Sequence, residues 1–222
     1  MDQELKKLGR LSEKYETPYP GPKGAGVVST GKGDAGGVSY GSYQIATKTG
    51  TAAAFVQWLE THYPDMFDEL AGHEPGTPGF SAAWKVLAES DAERFFEAQH
   101  VFIGETHYTP ARKGVEEKLK LSLSGRSLAV KDALWSCAVQ HGPRGAYDRL
   151  WRAALAGKEP SSLDDASLLQ AVYAERGRRD ENGNLVYFSK CSAAVQRGVA
   201  QRFANELREA LERLGQEKAP NA

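Results

Sequence analysis

The sequence contains few cysteines and no long hydrophobic run. Its two cysteines among 222 residues, Cys137 and Cys191, cannot form a disulfide framework, and their small apolar neighbours predict buried, inert thiols. No apolar stretch approaches the roughly 20 residues that a membrane span requires. Residues 1–16 also lack the apolar core of a secretory signal. We therefore expect a protein that is made in the cytoplasm without a signal peptide and is not stably inserted in a membrane.

The sequence also has no excess of positive charge. Its 28 Lys and Arg residues balance 29 Asp and Glu residues, for a formal net charge of -1. The two signs are mixed along the whole chain, so no basic stripe marks a nucleic-acid-binding surface. We expect no nucleic-acid partner, although a local cleft can still be basic enough for a polyanionic substrate.

Signatures of metal and cofactor binding are missing. The five histidines are scattered, and none forms the i, i+4 pair of a helical zinc site. The glycines do not form a phosphate-binding loop, because none of them is directly followed by a Lys-Ser/Thr pair. We expect no metal and no cofactor. His100 and His107, seven residues apart beside glutamates, leave a metal site open as an alternative.

The apolar periodicity of the chain is mainly helical. Leu8, Leu11 and Tyr15 predict a first helix from Glu4 to Glu16, which the prolines after Thr17 would end. Further helices are predicted at 51–63, 81–89, 91–106, 127–140, 147–155 and 163–176, with a C-terminal helix at about 191–215. In that last helix the apolar residues recur every fourth position, and we expect this stripe to dock on the core. The stripe consists of Val195, Val199, Phe203, Leu207 and Leu211, with Glu206 assigned to the opposite, polar face.

Glycine is concentrated in one segment, residues 21–50. Two short β-type pieces, 27–30 and 38–40, flank the glycine-rich residues 31–37. This alternation predicts a small hairpin or three-stranded flap at about 24–45. The whole chain, 1–222, is predicted to be a single domain.

Glu16 has the position of a possible catalytic acid. A carboxyl group at the C-terminal end of a helix meets the negative end of the helix dipole, which raises its pKa, especially beside apolar residues. A protonated Glu can donate its proton to a glycosidic oxygen. An exposed Glu that ends a helix is also common, so this position alone leaves both interpretations open.

Three stretches together resemble a known enzyme family. They are Tyr15-Glu16, the segment 31–44 (GKGDAGGVSYGSYQ) and the segment 135–143 (WSCAVQHGP). They resemble the active-site region of the lysozyme-like superfamily, in its goose-type lysozyme and lytic transglycosylase branch. They look closest to lysozyme domains of phage endolysins and of type VI secretion effectors that degrade peptidoglycan. The resemblance implies a mainly α (α+β, lysozyme-like) fold with a helical body and a Gly-rich β-hairpin flap beside an active-site cleft.

The same resemblance implies a peptidoglycan hydrolase, a muramidase, that cleaves the β-1,4 bond between N-acetylmuramic acid and N-acetylglucosamine. Glu16 takes the position of the general acid, and Asp34 the position of a group that activates water. Asp34 equally fits a turn residue in a hairpin loop, and His141 equally fits an ordinary helix end. The substrate-binding residues implied by the resemblance are Ser39, Tyr40, Tyr43, Gln44 and His141.

The sequence departs from the goose-type pattern at Thr17, where Ser is common, and at Ala46, where some of these enzymes carry a further carboxylate. A missing second carboxylate favours the alternative of a lytic transglycosylase that releases anhydro-muropeptides. Two further alternatives are an inactive glycan-binding or phage structural protein, because a fold does not guarantee activity, and a chitosanase that acts on related sugars. The expected partners are peptidoglycan glycan strands and either a delivery apparatus or an immunity protein. We expect a monomer that acts on the cell wall in the periplasm after release or secretion.

Overall fold

The structure is a computed structural model that describes residues 4–9, 21–29 and 37–218. The chain divides into two compact units. The hairpin unit is Ser12–Gly104, and the terminal unit combines Met1–Leu11 with Glu105–Ala222. The predicted single domain stays a prediction.

The hairpin unit contains a small antiparallel sheet followed by helices. Strand β1, Ser39–Tyr40, pairs with β2, Ile45–Ala46, so that Tyr40 lies opposite Ile45. An isolated antiparallel bridge joins Val28 to Tyr40 on the other side of β1. The sheet itself has two strands, so the hairpin alternative of the predicted flap is the arrangement found. The helices are α1 Thr51–His62, α2 Pro64–Leu70, α3 Pro78–Ser90 and α4 Ala92–Ile103, and a 3-10 turn covers Gly21–Gly24.

Aromatic side chains fill the core of the hairpin unit. Trp84 is fully buried, with its ring centroid 4.7 Å from that of Phe95 and 5.4 Å from that of Phe55. The side chains of Thr77 and Asp91 accept hydrogen bonds from the first turns of α3 and α4. These caps satisfy backbone N–H groups that have no partner inside a helix, which explains where both helices begin.

The terminal unit is helical throughout its regular elements. Its α-helices are α5 Thr109–Lys118, α6 Leu128–Arg144, α7 Arg152–Ala154, α8 Asp165–Arg176 and α9 Ala193–Lys218. Two π-helical segments cover Gly104–Tyr108 and Gly145–Trp151, and 3-10 turns cover Leu5–Lys7, Pro160–Ser162 and Val186–Phe188. Ser127 and Asp164 cap the N-termini of α6 and α8 through their side chains.

The predicted first helix, Glu4 to Glu16, is wrong in its first part. The helical turn Leu5–Lys7 ends at Leu8, whose φ of -95° and ψ of 176° are extended, and Gly9 follows with a φ of 85°. The N–H of Gly9 donates a 2.5 Å hydrogen bond to Asp132, so this backbone group serves a tertiary contact instead of a helix. The rest of the predicted helix, Glu16 included, lies outside the described residues.

The face that α9 buries also differs from the predicted stripe. Val195 is 49% exposed, whereas Gln196, Phe203, Glu206, Ala210 and Leu214 are buried. The helix packs against α8 and α6, and its buried face includes Glu206, which was assigned to the polar face. The polar character of Glu206 did not exclude burial, because charged partners surround it.

The predicted fold class is confirmed: the protein is mainly α-helical, with a small antiparallel β-hairpin. The described residues contain no helix with the length and apolar character needed to cross a membrane.

Candidate functional site

The two predicted catalytic residues, Glu16 and Asp34, both lie outside the described residues. The predicted substrate-binding residues are described. Four of them belong to the hairpin of the hairpin unit, and His141 belongs to the terminal unit. The two groups are therefore examined in turn.

The turn of the hairpin depends on glycine at one position. Gly41 has a φ of 71° and Gln44 a φ of 51°, both in the left-handed region. The Nε2 of Gln44 donates a 3.1 Å hydrogen bond to the Gly41 carbonyl, which closes the turn. A Cβ atom on Gly41 would collide with the side-chain amide of Gln99. Glycine is required at this position for both its conformation and its lack of a side chain.

The side chain of Gln99, in α4, fixes this turn through hydrogen bonds. Its side chain is fully buried; its Oε1 accepts a 3.1 Å hydrogen bond from the Ser42 N–H, and its Nε2 donates a 3.0 Å bond to the Ala25 carbonyl. The side-chain amide of Gln99 therefore links the turn to Ala25, which precedes the sheet in the sequence. Gln99 is not among the predicted site residues. Its signal in the sequence is a polar residue among phenylalanines, since a buried polar group needs a partner.

Three predicted substrate-binding residues are buried in the hairpin unit. Tyr40 is fully buried, its ring lies 5.0 Å from Phe80, and its hydroxyl lies 3.0 Å from Ser81 Oγ. The Tyr43 hydroxyl lies 2.5 Å from His100 Nδ1, and Tyr43 and Ser39 are also buried. These contacts hold the hairpin in place, and the direct contact of these three residues with substrate stays a prediction. Gln44 is partly exposed, and its contact with substrate stays a prediction.

His141 lies at a break in the central helix of the terminal unit. Inside α6, Gly142 leaves helical conformation with φ 72° and ψ 161°, and Pro143 follows. The chain then continues into the π-helical segment Gly145–Trp151. Such π-helical segments are frequently associated with functional sites. The break places His141 beside a cavity.

The cavity has a volume of about 360 Å³. Its walls come from the end of α6, the following π-helical segment and the chain around the turn Val186–Phe188. The lining residues are His141, Gly145, Arg149, Val186, Tyr187, Phe188, Ser189, Lys190 and Cys191. No described lining residue is acidic, and Arg149 and Lys190 bring positive charge.

The imidazole of His141 is kept neutral by its surroundings. Burial, together with the positive charges of Arg176 and Arg149, lowers its pKa to about 4. Its ring makes edge contacts with Tyr187 and Phe188, at centroid distances of 5.6 and 5.7 Å. Among the described residues, its buried Nε2 atom has no hydrogen-bond partner.

Tyr187 is held in the cavity wall by Glu175. The Tyr187 hydroxyl donates a 2.6 Å hydrogen bond to Glu175 Oε1, and Arg178 Nε donates to both oxygens of the same carboxylate. Burial and this hydrogen bond raise the pKa of Tyr187 to about 12. The aromatic wall therefore stays uncharged, and the negative charge of Glu175 is paired with Arg178.

The two cysteines differ in their surroundings. Cys137 is buried, as expected, and burial raises the pKa of its thiol. Cys191 is exposed and lines the cavity, so the expectation of a buried thiol is wrong there. In the part of the chain that the structure describes, no group of three His, Cys, Asp or Glu side chains is arranged to hold a metal ion.

Comparison with known proteins identifies the family. Residues 8–207 match the family described as type VI secretion system spike protein VgrG3-like, C-terminal. The chain belongs to this family. The type VI secretion system spike protein VgrG3 of Vibrio cholerae serotype O1 is 36% identical over 165 residues. This alignment covers 74% of the chain but only 15% of the VgrG3 relative, so the chain corresponds to a small part of that protein.

Membership of the VgrG3-like C-terminal family corrects the family inferred from the motifs. The chain belongs to a spike-protein family and not to the lysozyme-like superfamily in its goose-type branch. The three motif stretches are short, and glycine-rich turns recur in unrelated proteins, whereas the family match extends over most of the chain. The family description refers to a secretion system, which is consistent with the expected delivery apparatus; that partner stays a proposal for this chain.

Proposed function

We propose that this chain is a peptidoglycan hydrolase, a muramidase, which a type VI secretion apparatus carries out of the cytoplasm. The proposal depends mainly on one observation. Residues 8–207 of this chain match one family, which is described by the C-terminal part of a secretion spike. The matched range includes Glu16, Asp34, the hairpin and His141. A segment joined to a spike travels with it, so an enzyme in that position would be carried to the cell wall by the secretion apparatus.

In the proposed reaction Glu16 is the general acid. Its protonated carboxyl donates a proton to the glycosidic oxygen between N-acetylmuramic acid and N-acetylglucosamine, and the bond from that oxygen to the sugar C1 breaks. The oxocarbenium-like C1 is captured by a water oxygen. The water proton passes to Asp34, which was ionised at the start, and inversion is the simplest outcome.

The described part of the hairpin supports a rigid wall for a glycan strand. Gly41 forms the turn with a φ of 71°, and buried Gln99 fixes the neighbouring Ser42 N–H. Gln44 is the hairpin side chain that is partly exposed and polar, so it is the one proposed to hydrogen-bond the sugar. A wall fixed by buried hydrogen bonds does not have to be ordered when substrate binds.

The test is digestion of purified Gram-negative peptidoglycan by the wild type and by Glu16→Gln, with mass spectrometry of the released fragments. We expect reducing muropeptides from the wild type. The variant should be slower by about 10²–10⁴-fold, the usual contribution of a general acid. Glu13→Gln is the matched control, because it makes the same change three residues earlier, and it should retain full activity.

Other results would support other functions. Anhydro products would show that the reaction is lytic transglycosylation and not hydrolysis, with the 6-hydroxyl of the sugar as the nucleophile. A folded wild type that releases no fragments but binds peptidoglycan would be a glycan-binding module. Full activity in Glu16→Gln would remove this residue from the mechanism.

A further inference from the structure

We propose that the His141 cavity of the terminal unit binds the carboxylate of an acidic N-acetylated sugar, with Arg149 and Lys190 as the cationic groups and Tyr187 as the wall for the sugar ring. The choice of sugar rests on the proposed function. The anion-binding character of the cavity follows from its own lining residues.

The charge of the cavity favours an anion. Arg149 and Lys190 line it, and none of its described lining residues is an Asp or Glu. The carboxylate that holds the wall residue Tyr187, that of Glu175, accepts hydrogen bonds from Arg178 and Tyr187. Because Glu175 is already engaged in this way, it leaves the positive charge of the cavity available to a ligand. A carboxylate between two cations gains charge-assisted hydrogen bonds.

The wall chemistry favours a sugar over a bare ion. Tyr187 and Phe188 present aromatic surface, and the Arg149 guanidinium lies 5.9 Å from the centre of the Tyr187 ring. Sugar rings pack on such surfaces through their C–H faces, while their hydroxyl and amide groups hydrogen-bond at the edge. The His141 ring lines the same cavity and makes edge contacts with both aromatic rings.

The size and construction of the cavity fit a single sugar. Its volume of about 360 Å³ is within the range of small-molecule sites. Gly145 stands in the π-helical segment, and a Cβ there would lie 3.1 Å from the Cβ of His141. A larger residue at this position would narrow the cavity next to the imidazole. The helix break at Gly142 and the π-helical segment thus open a pocket that a continuous helix would fill.

In peptidoglycan, a carboxylate near an N-acetyl sugar has two sources: the lactyl group of N-acetylmuramic acid and the peptide stem. Both offer the same chemistry to Arg149 and Lys190, and separate probes distinguish them. The full chain, labelled with ¹⁵N, is titrated with N-acetylmuramic acid, with neutral N-acetylglucosamine and with an acidic stem tripeptide. The readout is the shift of the backbone amide signals of residues 186–191 and 145–149.

We expect N-acetylmuramic acid to shift these signals and N-acetylglucosamine to leave them at least tenfold less affected at equal concentration. The double variant Arg149→Gln, Lys190→Gln should bind the acidic sugar at least tenfold more weakly, and added salt should weaken binding to the wild type. The matched control is Lys113→Gln, Arg208→Gln, which removes two exposed charges from the same unit outside the cavity lining. It should bind like the wild type.

If only the tripeptide shifts these signals, the cavity is still a carboxylate-binding site, but its ligand is the peptide stem and not the lactyl group. The proposal is overturned if neither acidic probe shifts these signals, or if the double variant binds as tightly as its control. Failure of the proposed function looks different, because binding of free sugar needs no turnover. A chain that binds N-acetylmuramic acid at this cavity but does not digest peptidoglycan would contradict the hydrolase and retain the site.

Discussion

The Arg176 guanidinium donates a 2.7 Å hydrogen bond to the Glu206 carboxylate, and both side chains are completely buried. Ser136 and Tyr173 donate to the same carboxylate oxygen, and Arg202 donates to the other one at 2.6 Å. Burial opposes ionisation of Glu206, but Arg176 and Arg202 outweigh it and hold its pKa below the usual value. This network links α6, α8 and α9 through the buried carboxylate of Glu206.

Glu206→Gln should destabilise the terminal unit strongly. The neutral amide leaves the buried Arg176 guanidinium without its counter-charge, and breaking a buried ion pair costs about 3–5 kcal/mol. Urea unfolding followed by circular dichroism measures this difference. The control, Glu212→Gln in the same helix, removes a 62% exposed carboxylate that lies 3.9 Å from Arg208, and should change stability by less than about 1 kcal/mol. Equal losses of unfolding free energy in the two variants would show that the buried ion pair of Glu206 matters no more for stability than the exposed one of Glu212.

Gly41→Ala should damage the hairpin more than Gly50→Ala. Both glycines have positive φ, 71° and 76°, so both substitutions carry backbone strain of about 1–2 kcal/mol. A Cβ on Gly41 also collides with Gln99, whereas a Cβ on Gly50 meets nothing within 4 Å. Thermal unfolding should therefore separate the two variants by roughly a further 1–3 kcal/mol. Identical unfolding curves would mean that the Gln99 contact adapts without cost.

Gly114→Ala should disturb the π-helical segment that carries Arg149. A Cβ on Gly114 would overlap the ring of Tyr147, which belongs to that segment, and this overpacking costs about 1–3 kcal/mol. Gly198→Ala in α9 has open space around it and should be stabilising by up to about 1 kcal/mol, as is usual for Ala over Gly in a helix. Chemical denaturation of both variants gives the comparison, and a neutral Gly114→Ala would argue against tight packing at Tyr147.

His141 should make stability depend on pH between about 6.5 and 4. Its folded pKa of about 4 lies below the roughly 6.5 of a free imidazole, so in this window the unfolded chain binds a proton that the folded chain does not. Stability therefore falls as pH falls from 6.5 towards 4. The groups acting on His141 are Arg176, Arg149 and Arg202, which lower its pKa, and Glu206, which raises it.

His141→Phe removes this titration and keeps an aromatic ring against Tyr187 and Phe188. Between pH 7 and pH 4 the variant should lose less stability than the wild type, by as much as about 3 kcal/mol. Urea midpoints at several pH values measure the two slopes. Parallel slopes would mean that His141 is protonated as readily in the folded protein as in the unfolded chain.

Asp34→Asn should separate the two interpretations of Asp34. As the base that receives the water proton, Asp34 contributes about 10²–10⁴-fold to the rate of peptidoglycan digestion. As a turn residue, it can be replaced by Asn with little loss, because both side chains cap such turns. The measurement is the rate of muropeptide release, with thermal unfolding as the check that the variant is folded. A rate within a factor of about three of the wild type would leave Asp34 only its role in the turn.

The helical framework could be predicted from local sequence patterns. Helices were expected at 51–63 and 163–176, and α1 and α8 occupy Thr51–His62 and Asp165–Arg176. The glycine-rich segment likewise predicted a small antiparallel sheet, which is present. Apolar residues at helical spacing and glycines at turns act through neighbouring residues, so a single sequence contains this information.

The roles of individual polar and aromatic residues were harder to predict. Tyr40, which is predicted to bind substrate, is buried against Phe80, a contact that its neighbours in the sequence do not reveal. Glu206 was expected on a solvated face but is the buried centre of a charge network. The start of the chain was expected to be helical, but Gly9 instead donates to Asp132. Each of these outcomes depends on a partner far away in the sequence.

The sequence by itself determined the helical class, the position of the glycine-rich hairpin and the choice of Glu16 as the residue to test. The tertiary structure decided that Gln99 fixes the hairpin turn, that Glu206 is buried, and that His141 lies beside a cationic cavity. Periodicity reports which side of an element is apolar, because that property is local. Burial of a polar group requires distant partners that offset its desolvation, and only the folded chain brings those partners together.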